Sequence, residues 1–194
     1  MTGSGKTTLA RELLAFSPFV LALDYKGLLS WEGYERYTTL KGTVDSRAPK
    51  VIYAPNESEL RDAVYHDKFF EFCYKRGNTT VYVDEVYGVA KGNLLPPHYH
   101  AILTRGREHG ISTYSSTQRP MSLPNVILSE SEHWYIFRLT MPGDRKKVEE
   151  SVAVGSESIQ SLKKREFYYV AAEDQIPIGP LILDLPKHTI EGAN

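Results

Sequence analysis

Cysteine is almost absent: Cys73 is the single one in 194 residues. One thiol cannot close an intramolecular disulfide, so a stapled secreted scaffold is excluded and a reducing compartment fits. Its neighbours Phe69, Phe70, Phe72 and Tyr74 assign it to a core rather than to chemistry. Net charge is lacking too, with 23 Lys+Arg against 24 Asp+Glu, a formal charge of -1. No global basic field advertises nucleic acid, and any such contact must be local. No apolar run approaches the roughly 18 residues of a membrane span. Lys6 and Arg11 ahead of Leu13–Ala22 have the outline of a secretion signal, but Glu12 and Pro18 interrupt it, and helix, turn and strand explain the same residues. Repeats and low-complexity tracts are missing. The nearest thing to a metal cluster, His98 and His100, has no partners at ligand spacing and reads as a loop or helix cap. The short basic runs Arg145-Lys146-Lys147 and Lys163-Lys164-Arg165 are diluted by Glu149, Glu150 and Glu166 and read as solvated faces. What remains is an ordinary globular composition and, by default, a cytoplasmic protein without a membrane span.

The informative residues are at the start. Thr2-Gly3-Ser4-Gly5-Lys6-Thr7-Thr8 reads as the right-hand end of a phosphate-binding loop, Gly-x-x-x-x-Gly-Lys-Ser/Thr. Glycines let backbone N–H groups turn inward around phosphate oxygens, and the helix opening near Lys6 adds its positive end. Within that motif Lys6 reaches the β- and γ-phosphates and the Thr7 hydroxyl ligates Mg²⁺. Leu9-Ala10-Arg11-Glu12-Leu13-Leu14 continues as the amphipathic helix the motif requires. The first glycine of the pattern would fall one place before Met1, and the strand that feeds such a loop would also precede it. The expectation is therefore an ATP- or GTP-handling protein truncated at its N-terminus, with independent nucleotide binding weakened by that loss.

Beyond the loop, strand-like and helical segments alternate, which predicts an α/β sheet with parallel strands. Strands are expected over 19–24, 50–54, 79–85, 111–116 and 133–139, and helices over 5–15, from Asn56 or Ser58 to Arg76, from Pro97 to Glu108, over 123–129 and over 144–152. Residues 27–42 read as a loop with aromatic insertions. Segments 166–172 and 181–185 read as a closing hairpin about the turn 177–180. Thr79-Thr80-Val81-Tyr82-Val83-Asp84-Glu85 is a strand ending in two carboxylates, at the edge where open α/β sheets bind ligands. Asp84 there is a candidate Mg²⁺ contact and Glu85 a candidate base for the attacking water.

An extra strand between those bearing the two motifs, with a glutamate beside the aspartate, resembles the RecA-like branch of P-loop ATPases. Thr104-Arg105-Gly106-Arg107-Glu108-His109-Gly110-Ile111, Ser116-Thr117-Gln118-Arg119-Pro120 and Asn125–Leu139 are similar to the HerA–FtsK superfamily of DNA-translocating ATPases. The likeness covers most of residues 1–152, and the small size resembles viral genome-packaging members. It implies a three-layer, mainly parallel sheet with helices on both faces, its first strand missing. It also implies a single ATPase domain over 1–194, with a motor core at 1–152 and a C-terminal hairpin extension at 153–194. The implied ligands are ATP and Mg²⁺. The implied partners are double-stranded DNA and further copies of the chain in a ring, usually a hexamer, and the implied setting is host cytoplasm or virion. Gln118 would sense the γ-phosphate, and Arg105 or Arg107, with Arg119 behind them, would complete a neighbour's site. The competing expectations are an assembly or secretion ATPase like the phage zonula-occludens-toxin-like proteins, and an inactive fragment of the fold.

Overall fold

In the computed structural model, residues 4–90, 92 and 94–184 are described. The chain opens with helix α1, Lys6–Ala15, which turns within four residues into strand β1, Val20–Asp24. A three-residue strand β2, Glu35–Tyr37, helix α2, Leu40–Asp45, and strand β3, Lys50–Tyr53, follow. Helices α3, Glu57–Arg61, and α4, Ala63–Arg76, lead to strand β4, Thr80–Asp84. Helix α5, Pro97–Arg105, precedes strand β5, Ser112–Ser115, and helix α6, Asn125–Ser129. Strand β6, His133–Phe137, helices α7, Pro142–Ser151, and α8, Ser156–Ser161, and strands β7, Glu166–Ala171, and β8, Ile178–Ile182, complete the fold.

Five strands form a wholly parallel sheet in the order β2-β3-β1-β4-β5. β1 and β4 are buried at every residue, as strands covered on both faces must be. Alternation sorts their side chains. Leu21, Leu23, Val51, Tyr53, Val81 and Val83 face Phe69, Phe70, Tyr99 and Ile102 of α4 and α5. Val20, Ala22, Ile52 and Tyr82 face Ala10 and Leu14 of α1, with Leu29 and Trp31. Cys73 lies fully buried on the α4 side, and desolvation pushes its thiol pKa up, as a structural cysteine requires.

Most of the turn expected at 177–180 lies within β8, Ile178–Ile182, and two segments of the first half also depart from the sequence reading. Residues 27–42, expected to be loop, contain β2 and the start of α2; Thr39 caps α2 by accepting a bond from Gly42 N. β2 is an edge strand of three mostly exposed residues, too short to show alternation. The single helix expected from 56 to 76 is two. Asp62 closes α3 and then caps α4, accepting from Val64 N at 2.9 Å, and a side chain that caps a new helix ends the old one.

A second, antiparallel sheet has the order β6-β7-β8. Ile136, Val148, Val154, Ile159 and Val170 form one small core beneath α7 and α8. β6 thus pairs across the division expected at residue 152, and the C-terminal hairpin extends a sheet rather than standing alone.

Candidate nucleotide site

The ten residues of α1 span about 15 Å, and the five of β1 about 16 Å. The short turn between them forces α1 to run back along the sheet, so its N-terminus returns to the level of Asp24. Gly5 begins the helix at φ 106° and ψ -9°, and no side chain caps it. The first intrahelical bond is Leu9 N to Gly5 O at 2.8 Å, so the N–H groups of Lys6, Thr7 and Thr8 have no partner within the helix. A Cβ at Gly5 would lie 3.1 Å from the Phe137 ring and 3.3 Å from Leu183, and φ there suits only glycine. Three donors at a positive helix end make an anion cradle. Thr2 and Gly3, expected to extend it, lie outside the described residues; Ser4 accepts a bond from Lys6 Nζ at 3.1 Å.

The sheet delivers the second half of the site. β1 and β4 pair in parallel register with Asp24 beside Asp84. The chain turns from building one side of the sheet to building the other at this pair, which is where doubly wound sheets bind ligands. Burial lowers the Lys6 pKa, the Glu85 and Asp84 carboxylates pull it back up, and the Lys26 ammonium lowers it further. The glycine turn and the acidic strand tip, 78 residues apart from Lys6 to Asp84, therefore meet in one electrostatic environment.

The two adjacent carboxylates have different surroundings. Asp84 lies 3.1 Å from the Tyr82 hydroxyl and 3.0 Å from the Ser116 hydroxyl. Desolvation raises its pKa, and these hydroxyls oppose the rise. Hydroxyls rotate, so Asp84 keeps lone pairs available to a cation. Carboxylate and hydroxyl oxygens such as those of Asp84 and the exposed Thr7 are of the hard-donor type that Mg²⁺ takes. Glu85 adopts φ 56° and ψ 59°, a conformation that costs about 1–3 kcal/mol for a residue with a Cβ. It is 2% exposed. Its carboxylate accepts from Thr117 Oγ1 at 3.2 Å, Gln118 N at 2.8 Å and Gln118 Nε2 at 3.2 Å, and pairs with Lys26. In the turn that follows, Gly88 packs so tightly that a Cβ would lie 2.5 Å from the Tyr25 ring.

The arginines are split. Arg119 lies at the nucleotide edge, its Nε 3.5 Å from Asp144 of α7. Arg105 and Arg107 end the α5 segment beside the N-terminal edge, where Asn78 N bonds to His109 O at 2.9 Å. A strand's length, about 16 Å, separates them from Glu85 of their own chain. Arg107 is 84% exposed at its side chain and pairs with Glu132. His98 is tied to Asp67 through both its backbone N–H and its ring, so it anchors the start of α5.

Sequence reasoning assigned no role to Lys26, Asp24, Tyr82 or Ser116. Asp24-Tyr25-Lys26 carried a usable signal: a buried strand ending in charge, like Asp84-Glu85, belongs to the same edge once the sheet is parallel.

This fold and site define a P-loop nucleoside triphosphatase. No family model matches the chain. It is 32% identical over 195 residues to DNA packaging ATPase P9 of Enterobacteria phage PRD1, covering 93% of this chain and 84% of that protein. The chain therefore belongs to the family of viral DNA-packaging ATPases. Protein P9 of Pseudoalteromonas phage PM2 is 21% identical over 175 residues, 84% of this chain and 76% of its own length. The genome packaging NTPase B204 from Sulfolobus turreted icosahedral virus 2 in complex with AMP superposes with a TM-score of 0.75 at 21% identity, over 93% of this chain and 94% of that one. Its complex with AMPPCP gives 0.72 at 22% identity over 91% of both chains. These likenesses establish the fold.

Proposed function

We propose that this chain is the ATP-hydrolysing motor domain of a viral genome-packaging machine, acting on double-stranded DNA as a homo-oligomeric ring, a hexamer by its resemblance, in host cytoplasm or virion. The observation that carries the reading is the convergence of Lys6 with Asp84 and Glu85 at one sheet edge. Among the described residues, no helix is long and apolar enough to cross a membrane.

The N–H groups of Lys6, Thr7 and Thr8 and the Lys6 ammonium would hold the phosphates, with Ser4, Gly5 and the segment Thr2-Gly3 completing the loop. Thr7 and Asp84 would hold Mg²⁺, which would neutralise negative charge on the triphosphate. Glu85 accepts the proton of the attacking water. The water oxygen bonds to the γ-phosphorus, the bond to the β–γ bridging oxygen breaks, and its electron pair leaves on ADP. Gln118, bonded to Glu85, reports whether the γ-phosphate is present. Arg105 and Arg107 are too remote for their own site and act on a neighbour's; the exposed Arg107 is the better placed to do so. The two sheets work as one motor unit over residues 1–194.

Glu85→Gln tests the chemistry. Phosphate release should fall about 10²–10⁴-fold while binding of a non-hydrolysable ATP analogue persists. Undiminished turnover would remove Glu85 from its role, and wild-type protein that releases no phosphate from Mg-ATP, with or without DNA, would overturn the motor reading.

A further inference from the structure

Among the described residues, Lys26 is the cation paired directly with the Glu85 carboxylate, and it reached the site from a loop that no motif includes. It lies two residues past the tip of β1, in a loop pinned by Asp24, whose two oxygens accept from Leu28 N at 3.1 Å and Leu29 N at 2.7 Å. A carboxylate offers about four lone-pair positions. Among the described residues Glu85 meets four donors: Lys26 Nζ, Thr117 Oγ1, Gln118 N and Gln118 Nε2. So engaged, it has no position left to take a proton from water. Three of these donors are neutral and belong to the adjoining tip of β5. The fourth is a flexible ammonium, 33% exposed at its side chain, that can leave.

It also has somewhere to go. Lys26 lies within electrostatic range of both Lys6 and Asp84. Two ammoniums, Lys6 and Lys26, therefore share one corner of the molecule with the carboxylates of Asp24, Asp84 and Glu85, the corner to which the proposed nucleotide site assigns the γ-phosphate. A γ-phosphate carries more negative charge than one carboxylate and offers three oxygens to an ammonium's three N–H bonds.

Resting on the nucleotide site proposed above, we propose that Lys26 is a positioning residue that is shared between two partners. It occupies Glu85 until a γ-phosphate arrives, then transfers to that phosphate and leaves one lone pair of Glu85 open to the attacking water. The base is thereby armed by a nucleoside triphosphate and not by the diphosphate. No covalent bond is made or broken in the transfer.

Competition of this kind is measurable without turnover. Dissociation constants for a non-hydrolysable ATP analogue and for ADP, each with Mg²⁺, are compared in wild type, Lys26→Met, Glu85→Gln and the double variant. Lys26→Met should weaken analogue binding about 10-fold, one charge-assisted contact, and leave ADP within twofold. Lys26→Arg should restore most of the loss. Glu85→Gln frees Lys26 and should tighten the analogue several-fold, again sparing ADP, and that gain should vanish when Lys26 is Met. Equal shifts for analogue and ADP mark Lys26 as merely structural and overturn the proposal, as does a Glu85→Gln gain that persists without Lys26. Should Lys26→Met fail to fold, Glu85→Gln alone still decides, because an unselective effect or none refutes the sharing. Wild-type protein that binds neither nucleotide overturns the nucleotide site itself, a different failure from binding without coupling.

Discussion

Asp24 and Asp84 are the same residue at the same height on adjacent strands, both buried, yet the structure treats them oppositely. Asp24 has its oxygens engaged by two fixed backbone N–H groups, which shape the loop 25–31. Asp84, among the described residues, accepts hydrogen bonds from the hydroxyls of Tyr82 and Ser116. A carboxylate surrounded by rigid donors holds a fold together, whereas one surrounded by rotatable donors stays available to a ligand. Partner rigidity, more than residue type or burial, separates architecture from chemistry at this edge.

Substitution breaks the pair apart. Asp84→Asn should reduce Mg-ATP hydrolysis about 10³-fold, since metal-held charge stabilisation amounts to several kcal/mol, and it should not lower the melting temperature. The raised pKa of Asp84 sets the sign of its stability effect. The folded state holds this proton to a higher pH than the unfolded chain does, so the penalty of the buried charge is absent at pH values below the ordinary 3.8, grows as pH rises through the raised pKa, and is complete above it. The melting-temperature advantage of Asp84→Asn over wild type should accordingly shrink as the solution is acidified, in calorimetric scans taken between neutral pH and pH 3. An advantage that grows with acid would contradict the burial argument.

Asp24→Ala should do the reverse. Leaving two N–H groups of the loop without their acceptor costs about 2–4 kcal/mol, read as a fall of roughly 5–15 °C in melting temperature. Retained stability would show that the loop does not depend on Asp24. A third carboxylate sets the lower limit. Glu132 pairs with Arg107 in the open, with side chains 62% and 84% exposed. Glu132→Ala should move the melting temperature by less than about 2 °C.

Much of this was legible from the residues alone. The glycine turn, the strand ending in Asp84-Glu85 and the tip at Gln118 are local patterns, and the structure brings those within the described residues together. Buried parallel strands such as β1 and β4 show as apolar runs closed by charge. What could not be read was pairing. Nothing in His133–Phe137 says that it joins β7 rather than the parallel sheet, because alternation fixes a face and not a partner. Glu35–Tyr37 is a strand only because β3 lies beside it. Lys26 looks like any lysine after a strand until the register of β1 on β4 carries it to Glu85. The Asp62 break in the helical segment was local but ambiguous, since one aspartate there both ends a helix and begins the next.

Gly88 has a mechanical consequence. With no side chain of its own, it lets the Tyr25 ring rest directly on the backbone just beyond Glu85. The two strand tips are thus splinted against each other, and a tug on one segment drags its neighbour. An event at either would be felt by both at once, so motion there should show up as correlated relaxation of the stretches around residues 25 and 88 and not as two independent fluctuations.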